Sequence, residues 1–202
     1  GNTTNGSTSG TITKVLQTDT DGLIVSLNNT VEELNNILFT SGELGEIKAG
    51  QDAKVLLFGT IGSVSENDKK LAQKKLNGEN PDLYFDLSLY KQIGNGAQTR
   101  ISNTDGKPLN ISITVPEALR ESDRYIERTY YLVSMYDGTA NMVKGSYDSA
   151  THKLTFETDC ISAFALGHKD SHADGIQTIA NFNCLRLKAK ATWHTQKLSY
   201  TK

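Results

Sequence analysis

Through most of residues 82–170 apolar and polar side chains alternate with a period of two, which is the spacing of a strand with one face buried. Asp82-Leu-Tyr-Phe-Asp-Leu-Ser-Leu-Tyr90, Leu109-Asn-Ile-Ser-Ile-Thr-Val115, Thr129-Tyr-Tyr-Leu-Val-Ser-Met-Tyr136, Lys153-Leu-Thr-Phe-Glu157 and Ile161-Ser-Ala-Phe-Ala-Leu166 all carry it. Turn formers separate them at Gly94-Asn-Gly96, Asp105-Gly106, Asp137-Gly138 and residues 147–152, and Ala140-Asn-Met-Val-Lys144 is a further strand between two of these turns. The succession predicts a mostly β fold, a β-sandwich, with Tyr84, Phe85, Leu87, Leu89, Ile111, Ile113, Val115, Leu132, Phe156, Phe164 and Leu166 as core candidates.

Upstream of residue 82 the period changes twice. Residues 10–15 and 23–27 read as short strands around the turn Asp19-Thr-Asp-Gly22, giving a hairpin-like start. Val31, Leu34, Ile37 and Leu38 then share one helical face, with Thr30 as N-cap and Glu33 three residues on as its capping-box partner. A strand over 53–64 leads into a second short helix over 65–76, with Ser65 as N-cap, acids in the first turn and lysines later, ended by Gly78 and Pro81. Residues 116–120 supply one helical turn.

Composition adjusts the edges of this picture. Residues 1–10 contain no large apolar side chain until Gly10 and read as a flexible arm, and the sandwich domain spans 11–167. Residues 168–183 are polar and Gly-bounded and read as a linker, while alternation resumes at 185–190 and 195–200, too little to close a core without a partner or further sequence. An opening Gly without Met reads as a chain cut from something longer, so the lack of a signal peptide says nothing of destination. A net charge of −2 with scattered Lys and Arg gives no long-range attraction for nucleic acid or an anionic membrane, and no window approaches the ~20 apolar residues of a membrane span.

The candidate chemistry is sparse. Cys160 and Cys184 are either a single disulfide pair or two thiols, and no CxxC spacing exists for a metal. His168, Asp170, His172 and Asp174 have ligand chemistry, but i, i+4 spacing aligns two histidines only on a helix, and a solvated linker is the plainer reading, so no metal or cofactor is expected. The Asp19-Thr-Asp-Gly22 turn lacks the other ligands of a calcium loop. No Gly-x-Ser-x-Gly elbow and no phosphate loop before a helix is present, and Glu32-Glu33, Glu117 and Glu121 fit helix first turns. Catalytic residues are therefore expected to be none, and a hydrolase would need two carboxylates or a His pair converging in a cleft. Tyr84, Tyr90, Tyr130, Tyr131, Tyr136 and Tyr147 are numerous enough for a carbohydrate-stacking surface, although alternation sends about half of those in strands to the core.

The ordered set Tyr84-Phe-Asp-Leu-Ser-Leu-Tyr-Lys91, Ile111-Ser-Ile-Thr-Val-Pro-Glu-Ala-Leu-Arg120, Arg128-Thr-Tyr130, Tyr136-Asp-Gly138 and Phe156-Glu-Thr-Asp-Cys-Ile-Ser-Ala-Phe-Ala-Leu166 resembles a domain of large multidomain surface proteins of Gram-positive bacteria. Those domains follow Phe-Glu-Thr-Asp with a basic residue and an aromatic, where this chain has Cys160 and Ile161. In the tail, Leu185-Arg-Leu-Lys-Ala and Gln196-Lys-Leu-Ser-Tyr-Thr-Lys202 are similar to the first two strands of the fibronectin type III-like modules that follow such domains, making 184–202 a partial module. The resemblance implies an extracellular location and a non-enzymatic spacer that presents neighbouring modules of the same polypeptide. The alternative is an adhesion module for a host or dietary glycan or protein. It brings no catalytic residues.

Overall fold

The computed structural model describes residues 8–16 and 22–172. The arm at 1–7, Cys184, most of the expected linker and the whole of the expected second module lie outside the described residues. The chain divides into two compact units, Gly1–Arg120 with Tyr130–His168, and Glu121–Thr129 with Lys169–Lys202.

The fold is mostly β, with two sheets and three short helices among the described residues. The strands are β1 (Ile12–Leu16), β2 (Gly22–Leu23), β3 (Val25–Leu27), β4 (Ala53–Ile61), β5 (Leu83–Ile93), β6 (Thr99–Ile101), β7 (Leu109–Thr114), β8 (Ile126–Tyr136), β9 (Thr139–Val143), β10 (Gly145–Asp148), β11 (Lys153–Thr158) and β12 (Ala163–His172). One sheet runs β1-β4-β5-β12-β8-β9, with β2 also on β4 and β6 also on β5, and the other runs β10-β11-β7-β3.

The inner faces of the two sheets share one apolar cluster. Phe85 of β5 stacks on Phe164 of β12 at 5.3 Å between ring centroids, and Phe156 of β11 in the opposite sheet meets Phe164 at 5.6 Å. All the expected core positions are buried except Tyr84, which is half-buried and turned to the outer face. That departure follows from the period itself, since Tyr84 is one residue out of step with Phe85, Leu87 and Leu89.

The helices follow their caps. In α1 (Val31–Leu38) Thr30 Oγ1 accepts from Glu33 N at 3.2 Å, and Glu33 returns the bond to Thr30 N. Leu34 and Leu38 are buried, while Val31 lies outside the apolar contact. Asn29 ties this helix to the second sheet, accepting from Asn110 N at 2.7 Å and donating to Glu33 at 3.0 Å. In α3 (Glu66–Lys75) Ser65 caps Asp68 N, and the chain leaves through Asn77 and Gly78, both at positive φ. The helical turn expected at 116–120 is a 3-10 turn at Glu117–Leu119.

Three expectations are corrected. The start is not a hairpin: β1 pairs with β4 in parallel, Val15 opposite Leu56, and a parallel pair needs a long crossover, here containing α1 and a further helix. The segment expected as one strand at 23–27 changes sheets, with Leu23 opposite Gly59 in β4 and Val25 opposite Ile113 in β7. Leu23, Val25 and Leu27 all reach the shared core, and Ile24 between them is 51 % exposed. The further helix is α2 (Ser41–Lys48), whose Gly42 and Gly45 interrupt any apolar rhythm, yet Thr40 and Glu43 form a complete capping box. Apart from these, β12 runs through His172, five residues past residue 167.

In the second unit the described residues are held by polar groups. Arg128 grips Asp170 with two hydrogen bonds of 2.7 Å and reaches Glu121 at 3.1 Å, and Ser171 donates to Glu127 O at 3.5 Å. Strand held this way shows no apolar alternation, which is why its sequence reads as linker.

Candidate functional site

The first sheet has an outer face as well as a buried one. Part of that outer face is covered by α3 and the residues leading into it, with Ala72 of the helix and Val64 before it packed with Val133, Met135, Ala163 and Ala165, the small alanines allowing close approach. The strip over β4, β5 and β6 carries a different set. On β5, Tyr84, Asp86, Ser88 and Tyr90 point outward in alternation with buried Phe85, Leu87 and Leu89. The antiparallel register sets Asp86 opposite Thr60, Ser88 opposite Phe58, Tyr90 opposite Leu56 on one side, and Tyr90 opposite Arg100 on the other.

The geometry gathers two aromatic rings, a carboxylate and a guanidinium. Phe58 and Tyr90, both half-buried, lie 6.2 Å apart with their planes tilted by 54°. Ser88 Oγ donates to Asp86 Oδ2 at 3.2 Å, and the nearest Arg100 nitrogen is 3.8 Å from the same oxygen, too long for a hydrogen bond. Arg100 is 48 % exposed and Asp86 22 %. Burial raises the Asp86 carboxyl above the usual carboxylate range; Ser88 and Arg100 oppose that rise and Asp68 adds to it. A partly desolvated carboxylate beside partly exposed aromatic rings marks this strip as the candidate functional face.

The other expected chemistry is dispersed. His168 lies on β12 rather than a helix, with its Nδ1 2.5 Å from Asp82 Oδ2. Asp174 and Cys184 lie outside the described residues, and among those described no three His, Cys, Asp or Glu side chains gather where they could hold a metal ion. Cys160 sits in an open depression of about 530 Å3 between the ends of β9 and β11; burial and the neighbouring Asp159 push its thiol up, the opposite of an activated nucleophile. Among the described residues no helix is long and apolar enough to cross a membrane.

The tyrosines do not form one patch. Tyr130 and Tyr147 meet edge to face at 4.6 Å, with Tyr130 donating to Leu119 O and Tyr147 bonded to His152. Tyr131 lies over Gly167, Tyr84 lies under Lys69 of α3, and Tyr90 alone joins the Phe58 strip. Sequence reasoning missed Phe58, Asp86, Ser88 and Arg100 as a group. The alternation of residues 84, 86, 88 and 90 was the available signal, but β6, which brings Arg100, is only three residues long and follows a polar connection.

No protein-family model matches the chain, and neither a curated protein nor a solved structure matches it.

Proposed function

We propose that this chain is a non-enzymatic structural domain of a Gram-positive bacterial cell-surface protein, which spaces and presents neighbouring modules of the same polypeptide outside the cell. The observation that carries this reading is how the polar side chains are used. Asn29 and Glu33 fasten α1 to β7, Lys91 and Glu43 fasten α2 to β5, and His168 meets Asp82, so that groups with chemical potential serve as joints between elements. The test is replacement of residues 11–172 in the parent polypeptide by an unrelated β-sandwich of similar length. Retained surface display and retained activity of the flanking modules support a spacer; loss of a binding activity with display intact overturns it.

A second reading, an adhesion module, is favoured by the Phe58, Tyr90, Asp86 and Arg100 face. A spacer gains no stability from a partly desolvated carboxylate that no donor fully satisfies. An array of glycans and extracellular-matrix proteins, probed with the chain and with Arg100→Ala, tests it. Capture lost in the variant supports this reading, and capture by neither class of ligand sinks it.

A further inference from the structure

Resting on the adhesion reading, we infer that the outer face of β4, β5 and β6 is a binding site for a neutral oligosaccharide, stacked on Tyr90 and Phe58 and hydrogen-bonded between Asp86 and Arg100. Sugar rings present apolar C–H faces rimmed by hydroxyls, and partly exposed aromatic rings with polar groups at their margin match both parts. Tyr90 and Phe58 supply the rings, at 6.2 Å and mutually tilted, so two successive sugar units can contact one ring each. Asp86 and Arg100 supply opposite hydrogen-bonding capacities: an ionised carboxylate only accepts and a guanidinium only donates. At 3.8 Å they form an ion pair without a hydrogen bond between them, so a hydroxyl pair can donate to one and accept from the other. Ser88 Oγ, bonded to Asp86, adds a group that both donates and accepts.

Charge and topology narrow the ligand class. Asp86 and Arg100 offset each other at the centre of the strip, which favours a polyhydroxyl ligand there over an anion or a cation. Binding of an extended peptide by strand addition requires a free edge. Here both edges of β5 are taken, by β4 on one side and by β12 and β6 on the other. A ligand of this strip must therefore be held by side chains from above the sheet. From Asp86 to Tyr90 the strip extends roughly 13 Å along β5, longer than a single sugar ring.

The test is titration of the full chain, followed by NMR and calorimetry, with cellohexaose, xylohexaose, mannohexaose and chitohexaose. At least one is expected to bind, with Arg100→Ala and Asp86→Asn each weakening it about tenfold or more, the latter while leaving the thermal midpoint at or above that of the wild type. Tyr90→Phe, which keeps the ring, is expected to retain binding, and Tyr90→Ala to lose it. No binding by any of the four, or wild-type affinity in Arg100→Ala, overturns the inference. If no oligosaccharide binds yet a matrix protein is captured in an Arg100-dependent way, the carbohydrate class falls and the adhesion reading stands; absence of both removes the two together.

Discussion

Lys91 Nζ lies 2.6 Å from Glu43 Oε1, and the same ammonium donates to Leu38 O at 2.8 Å. It also stands 5.9 Å from the centre of the Phe39 ring. One side chain of β5 thus satisfies the last turn of α1, neutralises the N3 acid of α2 and covers the aromatic residue at their elbow. Only 14 % of the Lys91 side chain and 23 % of the Glu43 side chain remain exposed, so the pair is far less screened than a surface bridge. Lys91→Met keeps the stem but removes the donor, leaving a half-desolvated carboxylate and an orphaned carbonyl. Its expected effect is a loss of about 1–3 kcal/mol, read from the urea midpoint. A double variant with Glu43→Gln should lose less than the sum of the two single changes, and strict additivity would show that the pair does not act as a unit.

The same pair makes part of the stability pH-dependent. Burial opposes charge on Glu43, but hydrogen bonds from Lys91 and Thr40 outweigh it and hold the carboxyl below its ordinary value of 4.5. Because the folded value is the depressed one, the contribution is complete above 4.5 and fades as pH falls through the folded value. Wild type should therefore exceed Glu43→Gln in stability at pH 7, and the two should converge in acid. A gap that persists unchanged in strongly acidic urea titrations would assign the effect of Gln to packing instead.

What the chain disclosed in advance was whatever rests on local rules. Alternation located β5, β7, β8, β11 and the buried part of β12, because the residues that alternate there are the ones that meet in the core. Thr30 and Ser65 announced α1 and α3 through their own side-chain bonds. Thr40 and Glu43 announced α2 equally well, but two glycines masked the helical period. The parallel partner of β1 and the change of sheet at Ile24 depend on which distant backbone offers a free edge, and no local pattern encodes that. The aromatic strip was hidden for the same reason. Phe58 and Arg100 flank β5 from strands separated from it in sequence, and only the register brings them beside Tyr90.

The change of sheet rests on Gly59. A Cβ there would lie 2.9 Å from the backbone oxygen of Leu23 and 2.8 Å from Cγ1 of Val25, on either side of the crossing point. Backbone and a buried β-branched side chain cannot yield without reopening the core, so Gly59→Ala should lose about 1–3 kcal/mol. Gly167 presents a contrasting case. A Cβ there would fall 2.1 Å from the Tyr131 hydroxyl, but that ring is half-buried and can swing outward. Gly167→Ala should therefore be the milder change of the two by thermal denaturation. The reverse order would mean that Tyr131 is fixed in place and that β2 and β3 are the parts that adapt.

Asp86 offers the sharpest separation between stability and function. Its carboxyl is raised above 3.8 chiefly by burial, with Asp68 adding to the rise and Ser88 and Arg100 only partly opposing it. For an acid whose folded value is the higher one, folding carries no electrostatic penalty below the unfolded value. The penalty grows as pH rises through the folded value and is complete above it. Asp86→Asn keeps the shape and an acceptor for Ser88 but removes the charge, so it should be more stable than wild type at pH 7 and lose that advantage in acid. A residue whose ordinary alternative is more stable is held by something other than folding, and binding sites are where proteins tolerate such a loss. Thermal midpoints at pH 7 and in acid decide the matter. If Asp86→Asn is less stable at pH 7, the contacts to Ser88 and Arg100 outweigh the burial, Asp86 is a structural residue, and the outer strip loses its strongest mark as a site.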